Sequence, residues 1–235
     1  MPIGADTWWN RIQRTAPLAW LNGVALVAAV SLFLLIANRV AEGDHWPLEE
    51  AIMHSLRAGE PSPPAGPPWL VSVARDITAL GSVVVLSTIA MLAIGFLALS
   101  RRFGAALFLF VAATGGQSLN AALKWYFGRE RPDPAFRWIE IDSPSFPSGH
   151  AASSAVVYLA IAVLLARLAE NRRQKIYLIG SALALSFCVG LTRVYLGVHY
   201  PTDVIAGWTV GVAWAQVCWF AARAIGRARL ALVRK

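Results

Sequence analysis

Long apolar runs alternate along this chain with short polar islands, and the runs set the architecture. A bilayer core takes about 20 mostly apolar residues per helix. Six runs approach that length, near residues 18–37, 77–99, 103–125, 151–168, 176–196 and 204–222. Each predicts a transmembrane helix. The expected fold class is therefore all-α: a polytopic membrane protein of six spans in a single membrane-integral domain, 1–235. The first run exceeds the apolar core of about 7–15 residues found in a secretory signal, and no clean small-x-small cleavage site follows it. It is read as a retained helix.

A different pattern separates the first two runs. In residues 44–59, Pro47 suits a first helical turn, and Leu48, Ile52 and Leu56 recur every four residues. Glu49, Glu50 and Arg57 fall off that stripe. The pattern predicts an amphipathic helix lying on the membrane surface, a connector or, as a functional alternative, a lid or ramp for incoming lipid. Residues 61–68, Pro-Ser-Pro-Pro-Ala-Gly-Pro-Pro, predict a stiff non-helical linker. Trp20, Trp46, Trp69, Trp125, Trp138 and Tyr200 fall near the proposed span ends, where amphipathic rings favour the water–lipid boundary.

Composition strengthens the membrane reading. Only 14% of residues are charged, against about 25% in a soluble domain. A net charge of +8 would suggest nucleic acid in a soluble chain. Here it reads as topology, and no nucleic-acid partner is expected. The N-terminal segment, the second and fourth loops and the tail hold 13 of the 21 Lys and Arg, with Asp6 and Glu170 as their only acids. The opposite side holds 8 cations and 11 acids. Both termini are thus expected in the cytoplasm, with odd-numbered loops facing outward. Cys188 and Cys218 lie inside apolar runs and read as packing residues.

Three polar islands fall on that outer side. They are Lys124 to Arg131-Pro132, Pro147-Ser148-Gly149-His150, and Thr192-Arg193 to His199 and Asp203. Charges at membrane edges are costly and usually have a task. Lys124, Arg131 and Arg193, brought to one point, would repel each other unless an anion lay between them, and a phosphate fits. Arg129 and Arg137 share the first loop and read as solvated surface charges. Ser148 and Gly149 precede an apolar run, where free helix-start N–H groups favour an anion; the Ser148 hydroxyl can donate to it or cap the helix. His150 points toward the same place. Asp203 lies one helical turn after His199, so its carboxylate can fix one imidazole nitrogen and leave the other free to attack. Four histidines in all, without a His-x-x-x-His pair, suit no zinc shell. Asp133, Glu140 and Asp142 lie beside opposing cations. Neither metal nor cofactor is expected.

These three islands resemble the type 2 phosphatidic acid phosphatase family, whose pattern is Lys-x6-Arg-Pro, then Pro-Ser-Gly-His, then Ser-Arg-x5-His-x3-Asp. Thr192 stands where the family usually has Ser and keeps the hydroxyl. The likeness covers roughly residues 120–222, in a motif-bearing core of about 103–222. It implies a haloperoxidase-like helical core in which His199 attacks phosphorus to form a phosphohistidine and Asp203 supports it. His150 would protonate the leaving oxygen and then help activate water. Lys124, Arg131, Ser148, Gly149 and Arg193 would hold the phosphoryl oxygens. The implied partners are a lipid phosphate and the bilayer itself. Undecaprenyl diphosphate is favoured, with phosphatidylglycerophosphate and phosphatidic acid close behind and lipid A within the same class. A non-enzymatic channel or transporter is the alternative class; it calls for ionisable groups at mid-depth, whereas here they sit at span ends on one side.

Overall fold

The computed structural model describes residues 19–43, 46–59, 63–139 and 141–233. Part of the charge count (Asp6, Arg11, Arg14, Arg234 and Lys235), His45, Glu140 and the first two residues of the 61–68 linker lie outside the described residues. Among the described residues the chain is helical and has no strand. Its elements are α1 Ala19–Ala41, α2 Pro47–Ser55, α3 Pro68–Ala79, α4 Val83–Leu99, α5 Phe103–Phe127, a 3-10 turn Pro134–Phe136, α6 Gly149–Ala166, α7 Arg172–Tyr195 and α8 Pro201–Val233.

Among the described residues five helices, α1 and α5 to α8, are long and apolar enough to cross a membrane. Helices α3 and α4 pass the same test only as a pair, bent by 43°. The apolar run expected as one span over 77–99 is therefore broken at Leu80-Gly81-Ser82. Ser82 starts α4 by accepting from the Val85 N–H at 3.2 Å. Gly81 approaches α7 so closely that a Cβ there would sit 2.3 Å from Val189 and 3.2 Å from the His150 ring. Hydropathy registers the apolar run and is blind to this contact. Helix α8 also continues well beyond its expected end, to Val233.

Helix α6 occupies the centre, packed against α4, α5, α7 and α8, while α1 lies along α8. Helices α6 and α8 meet backbone to backbone. A Cβ on Gly207 would lie 2.5 Å from the Ser148 carbonyl oxygen, and one on Gly211 would lie 2.8 Å from the Ala152 oxygen. Glycines one turn apart let two backbones meet, and close packing is the main source of helix association in lipid. At the top of this contact the Ser148 N–H donates to the Asp203 carbonyl at 2.9 Å. The beginnings of α6 and α8 are thereby locked together.

Helix α2 corrects an expectation. Its Glu49 is not on a solvated face: it is only 3% exposed, and Met53 beside it is 2% exposed, whereas Leu48 is 68% exposed. The helix docks on the start of α8, where donors await the carboxylate. The period-four apolar stripe is real but marks only part of the docked surface. Arg57, just past its end, is also turned inward. It donates to the backbone oxygens of Tyr195 and Phe136, both at 3.0 Å.

Overpacking of this kind costs about 1–3 kcal/mol. Gly207→Ala is expected to lower the thermal midpoint in detergent and to reduce activity. Gly180→Ala, at a position with open space around it, should do neither. Equal midpoints for both variants would show that the α6–α8 approach is not a limiting contact.

Candidate active site

The polar islands converge on a cavity of about 320 Å³, lined among others by Lys124, Arg131, Gly149, His150, Arg193 and His199. Each island arrives on a helix end. Lys124 sits in the last turn of α5, which stops at Gly128 in a left-handed conformation (φ 56°). Its Nζ donates to the carbonyl oxygens of Pro144 and, at 3.3 Å, Ser145. Arg131 follows in the loop and is 9% exposed. It donates through Nε to the Ser143 oxygen at 2.7 Å and through Nη1 to the Val198 oxygen at 2.6 Å. Arg193, near the end of α7, donates from Nη1 to Thr78 Oγ1 on α3 at 2.9 Å. Its Nε is buried with no hydrogen-bond partner.

Gly149 opens α6. A side chain there would meet Asn120 Nδ2 at 3.2 Å and Lys124 Cε at 3.7 Å, so its absence keeps α5 and its lysine close. Ser148 occupies the cap position of α6, but its side chain makes no cap bond. Instead Ser148 Oγ is buried without a partner. Thr192, in the place of a serine, donates to the Val189 oxygen of its own helix at 2.7 Å.

His199 stands in the turn between α7 and α8, 2% exposed. Its Nδ1 lies 3.4 Å from Asp203 Oδ2 and 3.3 Å from Ser145 Oγ. Its Nε2 lies 3.3 Å from Arg131 Nη1. One nitrogen thus faces the carboxylate and the other a guanidinium at the cavity. Asp203 is fully buried behind the ring and does not line the cavity. Its Oδ2 also accepts from the Tyr200 N–H at 2.9 Å and from Ser145 Oγ.

Arg129 corrects the surface reading. Its side chain is only 11% exposed. Nη1 donates to Asp203 Oδ1 at 2.6 Å and to Thr202 Oγ1 at 2.9 Å, and Nη2 donates to Glu49 Oε2 at 2.9 Å. The guanidinium also stacks over the Tyr200 ring, 4.3 Å from its centroid. Arg137 braces the loop, donating to the Pro132 oxygen at 2.7 Å. Four further groups escaped sequence reading: Thr78, Ser145, Thr202 and Glu49. Arg129 lies two residues before Arg131 and was within reach of inference. Glu49, far away in sequence, carries no local sign of its partners.

The charges divide by their surroundings. Burial works against the charge of Arg129, but Asp203 and Glu49 outweigh it and hold its pKa above the ordinary guanidinium value. Arg131 moves the other way, pushed down to about 10 by burial, with Asp203 opposing and Arg137 adding; it stays cationic at neutral pH. Burial pushes His199 down to about 3, against the pull of Asp203, while Arg193 and Arg131 add to the shift. Among the described residues no three His, Cys, Asp or Glu side chains are grouped to hold a metal ion.

The structure is thus a bundle of apolar helices with a cationic, histidine-bearing cavity. Comparison with known proteins supplies the family. The family model of the PAP2 superfamily matches residues 103–227, more than half of the chain, and the chain belongs to that superfamily. Phosphatidylglycerophosphatase B of Bacillus subtilis (strain 168) is 37% identical over 149 residues, 62% of this chain and 71% of that protein. Lipid A 1-phosphatase of Rhizobium johnstonii is 36% identical over 120 residues, 47% of this chain and 44% of that protein. Among solved structures, a transmembrane PAP2-type phosphatidylglycerolphosphate phosphatase from Bacillus subtilis superposes with a TM-score of 0.69 at 31% identity, covering 85% of this chain and 96% of that one. Aquifex aeolicus LpxE shares the fold, with a TM-score of 0.55 at 23% identity over 75% of this chain and 95% of that one. The protein is thus an integral membrane enzyme, a phosphoric ester hydrolase.

The low value at His199 has a pH consequence. The unfolded ring takes up a proton as pH falls below its ordinary value near 6.5. The folded ring resists protonation down to about 3. Its contribution to stability is therefore full above pH 6.5 and is lost toward pH 3, by about 1.4 kcal/mol per pH unit. The unfolding midpoint of wild type in detergent should fall more steeply between pH 6 and 4 than that of His199→Gln. Parallel slopes would mean that the ring titrates alike in both states.

Proposed function

We propose that this enzyme removes a phosphate from a membrane lipid, a phosphomonoester or a diphosphate, through a phosphohistidine on His199 and without a metal. The observation that carries this reading is the His199 ring, with Asp203 on Nδ1 and the Arg131 guanidinium beside Nε2. A phosphoryl group held by Arg131 lies against the nitrogen that attacks. Nε2 bonds to phosphorus as the bond to the lipid oxygen breaks, and His150 gives that oxygen a proton. Water then attacks the phosphohistidine, His150 takes its proton, and phosphate leaves with Nε2 freed. Lys124, Arg131, Arg193, Ser148 and the α6 N–H groups at Gly149 bear the charge on the phosphoryl oxygens. The three cations oppose a divalent ion in the same space and supply the charge it would bring.

The relatives named above as phosphatidylglycerophosphatases move phosphatidylglycerophosphate ahead of undecaprenyl diphosphate as the preferred substrate, with phosphatidic acid and lipid A after them. We also place both termini in the cytoplasm and the site at the periplasmic face of a bacterial inner membrane. The sidedness of the cations supports this, as does the even number of spans obtained if α3 and α4 cross as one.

Purified enzyme should release phosphate from phosphatidylglycerophosphate in EDTA, and vanadate should inhibit it. His199→Ala is expected to lose activity by on the order of 10³-fold or more and to form no acid-labile phosphoenzyme. Full activity in that variant removes His199 as nucleophile. Loss of turnover in EDTA with recovery in Mg²⁺ removes the metal-free mechanism. A side-by-side panel of the four lipid phosphates ranks the substrates.

A further inference from the structure

The geometry points to Glu49 as a positioning residue for the reaction: from α2 it fixes Arg129, which in turn clamps Asp203 behind His199. This inference rests on the proposed function, since it assigns Asp203 to the support of the attacking ring.

Glu49 is almost completely buried, yet it is neither orphaned nor at the cavity. Its Oε1 accepts from the Thr202 N–H at 3.0 Å and from the Thr202 hydroxyl. Its Oε2 accepts from Arg129 Nη2 at 2.9 Å. The other terminal nitrogen of the same guanidinium donates to Asp203 Oδ1 at 2.6 Å. Arg129 thus spans two carboxylates with two nitrogens, and its planar fork leaves little freedom between them. Remaining rotation is checked on one face by the Tyr200 ring and at Nη1 by Thr202 Oγ1.

Without Glu49 this arrangement loses its anchor. Arg129 would keep one anionic partner, and nothing on the Nη2 side would oppose its swinging with Asp203. The Asp203 carboxylate must present Oδ2 to Nδ1 of His199 while Oδ1 faces the opposite way. Arg129 holds Oδ1, so a shift of the guanidinium turns the carboxylate and with it the imidazole. Small displacements of a reacting group are costly to rate and leave ground-state binding nearly untouched. Glu49 does not reach the phosphate site, so its effect should appear in kcat and not in KM. The role also explains why a short helix near the chain's first span is docked through a buried carboxylate. Packing alone would favour an apolar residue there.

The test uses the full chain in detergent with phosphatidylglycerophosphate as substrate. Glu49→Gln is expected to lower kcat about 10- to 100-fold with KM within about twofold of wild type, a loss confined to the chemical step. In an Asp203→Asn background, which already lacks the clamped carboxylate, the same substitution should lower kcat by less than about twofold more. A purely structural role would lower both backgrounds by the same factor. Where Glu49→Gln is not monodisperse, Thr202→Val decides in the same way, because it removes a hydroxyl that both Glu49 and Arg129 use and keeps the shape. Wild-type kcat, a raised KM at unchanged kcat, or equal losses in both backgrounds overturns the inference. Inactive wild-type enzyme would instead sink the proposed function.

Discussion

One buried carboxylate organises the candidate site. Asp203 has no exposed surface, and an uncompensated ion there would cost several kcal/mol. The fold supplies donors from every nearby segment: Arg129 from the loop after α5, Ser145 from the run before α6, and the Tyr200 N–H and His199 ring from the turn before α8. Three of these donors gather on Oδ2, and Arg129 alone takes Oδ1. Its own backbone carbonyl then receives the Ser148 N–H, which ties in the start of α6. Segments separated by many residues are thus held in register by the requirement to satisfy one charge. The glycine-lined contact between α6 and α8 makes this possible by allowing the two helix starts to touch.

The cations around the cavity obey a different rule. Arg129 is matched by two carboxylates. Lys124, Arg131 and Arg193 instead rest on neutral oxygens: backbone carbonyls for the first two, with a Ser143 hydroxyl added for Arg131, and the Thr78 hydroxyl for Arg193. Neutral acceptors orient a cation without cancelling its charge. These three line the cavity with their charges uncancelled by any carboxylate partner. The same chemistry separates Arg129, held between carboxylates, from the three cations at the cavity, although all four are basic.

This division explains what could and could not be read from sequence. The apolar runs marked the long helices, because a period of burial in lipid leaves a composition trace along each segment. The motif spacings pointed to Lys124, Arg131, His150, Arg193 and His199, since each lies on a helix end or in the short loop or turn that follows one. The break at Gly81 was not legible: it depends on Val189 and His150 arriving from other helices. Glu49 was misread for the same reason. A glutamate beside a period-four apolar stripe looks solvated until Thr202 and Arg129, far along the chain, are folded onto it. Arg129 was misread because its partner at Asp203 is more than seventy residues away, and a lone loop arginine is ordinarily solvated.

The cavity walls are of mixed character. The three cations without carboxylate partners share the lining with the two histidines. The remaining lining includes Val83, Ala121 and Ile141, and the amides Asn120 and Gln117 lie one and two turns before Lys124 on α5. Val83 stands at the first residue of α4, just beyond the bend, and is 58% exposed. On a bundle whose outer surface is apolar, that places an exposed valine at the rim of a polar pocket. Charged, amide and apolar side chains thus line the same cavity. The break in the α3–α4 pair thus does more than interrupt a helix. It brings Thr78 to Arg193 and Gly81 to His150, and it leaves an apolar edge beside the charge that the rest of the site assembles.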